Sequence, residues 1–348
     1  MERVLKRRVD VTALLSRYRG AVMGLCALVI LFFHCWIPTL NGFPVAQTVE
    51  ALLKKNGYFC VDVFFFLSGM GLAYSMRKQR GVLRFYAKRL RRVYVPYLEM
   101  ILLVAAFERW TIGDILLRAA CAELFTAGVY AHLWFVSAIL LVYLLYPLLH
   151  AALERTRRDT LLLAGLMAAI FAACLLLGGA IPPRYHGIFY RLPTFLLGVL
   201  FARAGQKRHI ALRVWQGACL CLLLAAAYAI GEWMSGRPGL WMFASMQLAA
   251  FSLLFAVGVS GLCALADACR AAVFAPARGA VRLLGWCGQF TLELYGLQGL
   301  YWLLAGPLEG RITYLQTNLV VMVTLPVMSF LLVRLNGAIG RALAKTNA

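Results

Sequence analysis

Ten apolar stretches constrain this chain more than any other feature. A helix that crosses a bilayer needs about 20 mainly apolar residues. Stretches near that length lie at 20–38, 58–76, 93–107, 131–150, 160–178, 188–203, 213–233, 240–265, 283–304 and 317–335. Hydrophobic residues make up 63% of the 348 and charged residues 14%, a composition far from that of soluble domains. The pattern predicts an all-α integral membrane protein of about ten transmembrane helices, with one domain over 1–348 and no appended soluble domain.

The basic residues predict the orientation of the bundle. Of the 35 Lys and Arg residues, all but eight fall in loops on the side of the N-terminus. The eight are Lys54, Lys55, Arg109, Arg118, Arg184, Arg191, Arg237 and Arg311. Because Lys and Arg accumulate in cytoplasmic loops, both termini are expected in the cytoplasm. The net charge of +21 therefore reflects topology rather than nucleic-acid binding. The N-terminal MERVLKRRVD is followed by no signal cleavage site and predicts a retained first helix.

The ten cysteines lie scattered through apolar segments, without CxxC or Cys/His ligand spacing. No metal site is expected, and the cysteines are interpreted as small apolar helix residues. A disulfide between Cys35 and Cys60 is the less favoured alternative.

Six polar side chains fall in the predicted outer half of the membrane. Ionisable groups at such depth usually face a bundle interior or a wet cavity. Each alone has a structural interpretation, such as a helix-dipole role for Asp62 or snorkelling for Arg191. Their common depth instead predicts one shared site, and the six are His34, Asp62, His132, Arg191, Glu293 and Gln298.

Two connecting segments have distinctive patterns. The stretch 77–97 carries eight basic residues with interleaved aromatics, which predicts either an ordinary positive-inside loop or a phosphate site. The stretch 111–125, TIGDILLRAACAELF, predicts an amphipathic helix on the outer surface, where it could cover a site.

Six segments in order resemble the acyltransferase 3 family, the ten-helix O-acyltransferases of bacterial surface glycans. They are ALVILFFH (27–34), VDVFFFLSG (61–69), RLRRVYVPYL (89–98), HLWFVSAILLVYLLYPLL (132–149), RLPTFLLGVLF (191–201) and TLELYGLQ (291–298). Two positions depart from the family pattern. Met23 stands where the family usually has an arginine, with Arg19 one turn earlier, and Gln298 stands where many members have histidine.

The resemblance implies acyl transfer, often of acetyl or succinyl, from acyl-CoA to a sugar hydroxyl at a bacterial inner membrane. The hypothesis built on it places the phosphates of the donor at a basic cluster, which consists of Arg19, Arg84, Lys88, Arg89, Arg91 and Arg92. His34 is the expected general base, oriented by Asp62 or Glu293. Contacts to the sugar or oxyanion are expected from His132, Ser68, Gln298 and Arg191.

Three alternatives stay open at this stage. An acyl-Ser68 intermediate is less favoured, because no nucleophile-elbow pattern surrounds the serine. The bundle could instead transport a lipid-linked sugar, or bind a sugar-containing ligand after losing activity. The acceptor, the acyl chain and the oligomeric state do not follow from the sequence.

Overall fold

The computed structural model describes residues 8–35, 44–78, 81–130, 133–207, 210–269 and 271–346, and it is 86% helical. The helices in these ranges are α1 (Val11–Phe33), α2 (Pro44–Asn56), α3 (Cys60–Lys78), α4 (Val82–Arg89), α5 (Val95–Glu108), α6 (Ile112–Ala119), α7 (Glu123–Ala127), α8 (Trp134–Arg155), α9 (Asp159–Leu176), α10 (Pro183–Phe189), α11 (Leu192–Lys207), α12 (Val214–Ser235), α13 (Ala244–Ala268), α14 (Ala275–Cys287), α15 (Thr291–Leu297), α16 (Tyr301–Ala305) and α17 (Tyr314–Thr346). Two short strands, β1 (Arg8–Asp10) and β2 (Ala211–Arg213), pair antiparallel.

Eight helical segments within the described ranges are long and apolar enough to cross a membrane. They are Val11–Phe33, Gln47–Arg77, Trp134–Arg155, Asp159–Leu176, Pro183–Lys207, Trp215–Ser235, Trp241–Ala268 and Tyr314–Ala338. Each corresponds to a span predicted from the sequence, so the all-α membrane architecture is confirmed. The other two predicted spans have a different form: 93–107 becomes α5, of 14 residues, and 283–304 is divided between α14, α15 and α16. The count of ten spans stays a prediction.

The first helix begins nine residues before the span predicted at 20–38. The carboxylate of Asp10 caps it by accepting hydrogen bonds from the backbone N–H groups of Thr12 and Ala13, both at 3.0 Å. The helix ends at Phe33, and His34 occupies the C-terminal cap. The histidine therefore lies at the end of α1 rather than inside it.

Glycines let α3 and α11 approach closely at the centre of the bundle. A Cβ atom added to Gly198 would lie 2.0 Å from the carbonyl oxygen of Phe66, and one added to Gly69 would lie 2.2 Å from that of Phe195. Small residues at crossings allow this kind of backbone contact between membrane helices. The crossing fixes the position of α3, which carries the predicted site residues Asp62 and Ser68.

We expect Gly198→Ala to lower the free energy of unfolding by about 1–3 kcal/mol, because the methyl group meets backbone atoms that cannot move independently. Gly165→Ala on α9 is the matched control, since no atom from another part of the described chain lies within 4 Å of its added Cβ. Unfolding of both variants in detergent would test this. Equal stability of the two would contradict the close crossing.

The segment predicted to form an amphipathic helix is held against the bundle by two hydrogen bonds. Helix α6 doubles back along α5, and the carbonyl oxygens of Arg118 and Ala119 accept hydrogen bonds from Tyr97 (2.6 Å) and Tyr94 (3.0 Å). These tyrosines precede or begin α5, so they lie far from the turn that joins the two helices. Buried tyrosine hydroxyls need acceptors, and the end of α6 supplies them.

The ten cysteines are free thiols. Cys35 and Cys60 are among them, so the alternative disulfide between these two residues is not formed.

Candidate functional site

A cavity of about 640 Å³ lies between α1, α3, α8, α15 and the segment that joins α4 to α5. Its charged and hydroxyl-bearing lining residues include Ser16, Arg19, Ser68, Tyr74, Ser75, Lys88, Arg89, Arg91, Arg92, Tyr143, Thr291, Glu293 and Tyr295. Its apolar lining residues include Met23, Ile30, Val61, Phe64, Phe135, Ile139 and Leu292. Five basic and one acidic side chain therefore face this space among the described residues.

The cavity follows the antiparallel contact of α1 and α3. Arg19 lies against Gly71 at one end of that contact, and Phe33 lies against Gly57 at the other. Lining residues on α1 run from Ser16 to Ile30, a distance of about 21 Å at 1.5 Å per residue. The cavity is therefore an elongated channel along the axis of the bundle.

Helix α8 lines the same channel at one-turn intervals. Phe135, Ile139 and Tyr143 face it in succession, and this i, i+4 spacing keeps them on one side of the helix. Phe135 packs against Phe64, with ring centroids 5.9 Å apart, while Tyr143 lies beside Arg89. The end of the channel at Phe135 is thus apolar, and the end at Tyr143 is basic.

The basic end is built around a π-helical turn, Leu90–Tyr94. Such turns occur frequently at functional sites. Here the turn and the end of α4 bring Lys88, Arg89, Arg91 and Arg92 to the cavity. Arg84, also predicted to bind phosphate, lies on the exposed side of α4 and does not line it.

Two arginines at this end have unused hydrogen-bonding capacity. Arg19 donates from Nη2 to the carbonyl oxygen of Leu67 at 3.3 Å, but its buried Nε has no partner among the described residues. Arg89 lies over the rings of Phe85 and Tyr143, each at 5.4 Å, and its buried Nε also has no partner in that part of the chain. Burial lowers the pKa of the Arg89 guanidinium, but an arginine stays protonated at neutral pH. Buried donors left unpaired are costly, so they favour an anionic ligand.

Glu293 lies in the wall of the cavity, in the first turn of α15. Its charge interacts with Arg92 and with Glu99. Glu99 in turn accepts a hydrogen bond from the lining residue Asn336. Glu293 is therefore a neighbour of the basic cluster.

Ser68, on α3, also lines the cavity.

His34 lies one helical turn beyond the apolar end of the cavity. Its Nδ1 is 2.8 Å from the carbonyl oxygen of Ile30, a residue that lines the cavity. A carbonyl oxygen can only accept, so Nδ1 carries the hydrogen and Nε2 of the neutral ring carries the lone pair. The carbonyl group of Ile30 thus helps to orient the imidazole of His34. This orienting role was predicted for the carboxylate of Asp62 or Glu293.

Asp62 and Arg191 form a buried ion pair near this end. The Arg191 Nε lies 3.2 Å from Oδ2 of Asp62, and the two side chains are 4% and 0% exposed. Arg191 also lies over the rings of Trp134 (5.0 Å) and Tyr190 (4.9 Å). Asp62 was predicted to orient His34, or to share that role with Glu293, whereas in the structure its partner is Arg191. Neither residue lines the cavity.

The remaining predicted residues either lie apart from the cavity or fall outside the residues that the structure describes. Gln298 is buried at the start of the 3-10 turn Gln298–Leu300 and does not line the cavity. His132 lies outside the described residues. Tyr143 was not predicted, although its one-turn spacing from Ile139 and Phe135 within an apolar span is visible in the sequence.

Comparison with known proteins gives one match. A family model described as an acyltransferase domain, of the acyltransferase 3 family, matches residues 22–334. No curated protein and no solved structure matches the chain.

Proposed function

The chain belongs to the acyltransferase 3 family and is a membrane acyltransferase, and we propose that its donor is acyl-CoA and its acceptor a hydroxyl of a cell-surface glycan or lipid-linked sugar. One observation carries the proposal. The elongated cavity joins a basic cluster at one end to the helical turn below His34 at the other. The bacterial plasma membrane is the location that this chemistry fits.

The basic end has the properties that a phosphate-bearing donor needs. Arginine forks suit phosphate oxygens, and the unpartnered Nε atoms of Arg19 and Arg89 gain acceptors when such a group binds. The unpartnered hydroxyl of Ser75 in the same lining adds one neutral donor. These residues fit the phosphates of coenzyme A, and the thioester arm then follows the channel towards His34.

In the proposed reaction, Nε2 of His34 accepts the proton of the acceptor hydroxyl. The hydroxyl oxygen bonds to the thioester carbon, and the C–S bond breaks after the tetrahedral intermediate. The departing thiolate takes the proton from the imidazolium, which gives an ester and free coenzyme A. The orientation of the ring by Ile30 leaves Nε2 as the base.

We expect Arg19→Gln and Arg89→Gln each to weaken coenzyme A binding by about 10- to 100-fold, since a hydrogen bond to a charged group contributes about 1.5–3 kcal/mol. Arg84→Gln is the matched control, because this arginine is exposed on the same helix as Arg89. Titration of purified protein with labelled coenzyme A at two salt concentrations tests the proposal. If the affinity for coenzyme A changes neither with salt nor with any of the three substitutions, the basic cluster only sets the orientation of the chain in the membrane.

Transport is the second candidate, and the divided span at 283–304 favours it. Discontinuous helices near the middle of a bundle are typical of transporter sites, and α14 is separated from α15 at Gly288–Phe290. Flipping of a fluorescent lipid-linked sugar in vesicles without any acyl donor would support transport. Label transfer from acyl-CoA in the same vesicles would support the enzyme.

A further inference from the structure

The apolar end of the cavity sets the chemistry of the group that can reach His34. From Met23 to Ile30 the channel extends about 10 Å along α1. Facing residues on the other helices include the apolar Val61, Phe64, Phe135 and Ile139, together with Tyr295, whose ring centroid lies 5.4 Å from that of Phe135. Among the described lining residues, no Lys, Arg or His faces this stretch.

The cation nearest along α1, Arg19, lies one turn before this stretch and donates to the carbonyl oxygen of Leu67, so the nearby charges do not compensate for an anion further along the channel, towards Ile30. Arg191 is engaged with Asp62 and does not line the cavity. The acidic residue of the described lining, Glu293, supplies no positive charge that could pair with a carboxylate. An unpaired carboxylate buried among apolar walls is strongly unfavourable.

We propose that the transferred acyl group is neutral and apolar, and that acyl groups ending in a carboxylate are rejected. This inference rests on the proposed acyl-CoA donor and narrows it, because it separates acetyl and butyryl from succinyl. The discrimination arises at the apolar end, while the basic end binds the phosphates common to all these donors.

Butyryl-CoA and succinyl-CoA make a matched pair, because both acyl groups have four carbons and they differ in the terminal methyl or carboxylate. In competition with fluorescent coenzyme A on purified protein in nanodiscs, we expect butyryl-CoA to bind about 10- to 100-fold more tightly. Each buried methylene contributes about fourfold in affinity. A succinyl group whose charged end stays outside the apolar stretch loses this contribution for the carbons that it cannot bury. Equal binding, or tighter binding of succinyl-CoA, would overturn the inference.

Substitutions of Met23 test whether the preference for butyryl-CoA over succinyl-CoA arises in the apolar stretch. Met23→Arg places a cation in the apolar stretch, and we expect it to reduce the preference for butyryl-CoA at least tenfold. Met23→Gln, polar but uncharged, should keep butyryl-CoA the tighter ligand. An unchanged preference in folded Met23→Arg would overturn the assignment to this stretch. Failure of the wild-type protein to bind coenzyme A itself would instead overturn the proposed function.

Discussion

Replacement of His34 with alanine is expected to lower acyl transfer by about 10²- to 10⁴-fold, the range that a general base contributes, while coenzyme A binding stays unchanged. The separation follows from the geometry, since His34 lies beyond the apolar end of the cavity and Arg19, at the basic end, lies about 22 Å away along α1. The transfer is measured by adding radiolabelled butyryl-CoA to membranes that contain the protein. The label recovered in the glycan and lipid fractions is then counted.

His186 provides the control for this experiment. One of its ring nitrogens, Nε2, is also 2.8 Å from a carbonyl oxygen, that of Ile181, and the ring stacks on Trp241. It does not line the cavity, so His186→Ala should keep its activity. Full transfer by a folded His34→Ala protein would remove His34 from the mechanism, whatever the arginines bind.

The sequence predicts the fold well where the signal is hydrophobic length. Eight of the predicted spans match membrane-length helices because about 20 apolar residues in a row have few other stable arrangements. Exact ends were harder to predict. The start of α1 depends on the cap formed by Asp10, and the cap extends the helix through polar residues that a hydropathy pattern omits.

Pairing between distant segments was the part that the sequence left open. Common depth placed Asp62, Arg191, His34 and Glu293 in one cluster, but depth does not specify which side chains touch. In the structure, Arg191 forms an ion pair with Asp62, whereas Glu293 faces the cavity near Arg92. The turn of α6 back towards Tyr97 likewise depends on a tertiary hydrogen bond that no local pattern indicates.

The second large effect is expected at the Asp62–Arg191 pair. Arg191→Gln or Asp62→Asn alone should lower the free energy of unfolding by about 3–5 kcal/mol, because each leaves one buried charge without its partner. The double variant removes both charges and should recover most of that loss. The exposed pair of Arg17 and Asp267, 3.6 Å apart with side chains 70% and 34% exposed, is the control, and Arg17→Gln should cost at most about 1 kcal/mol.

The double variant also separates two roles for Asp62. Since Asp62 does not line the cavity and is held by Arg191, we expect the refolded double variant to keep transfer within about tenfold of wild type, far above His34→Ala. Unfolding in detergent and label transfer measured on the same preparations provide the comparison. A double variant that is stable but as inactive as His34→Ala would instead give Asp62 the direct role beside the imidazole that the sequence predicts. Stability that is not recovered in the double variant would show that each side chain has contacts beyond the pair.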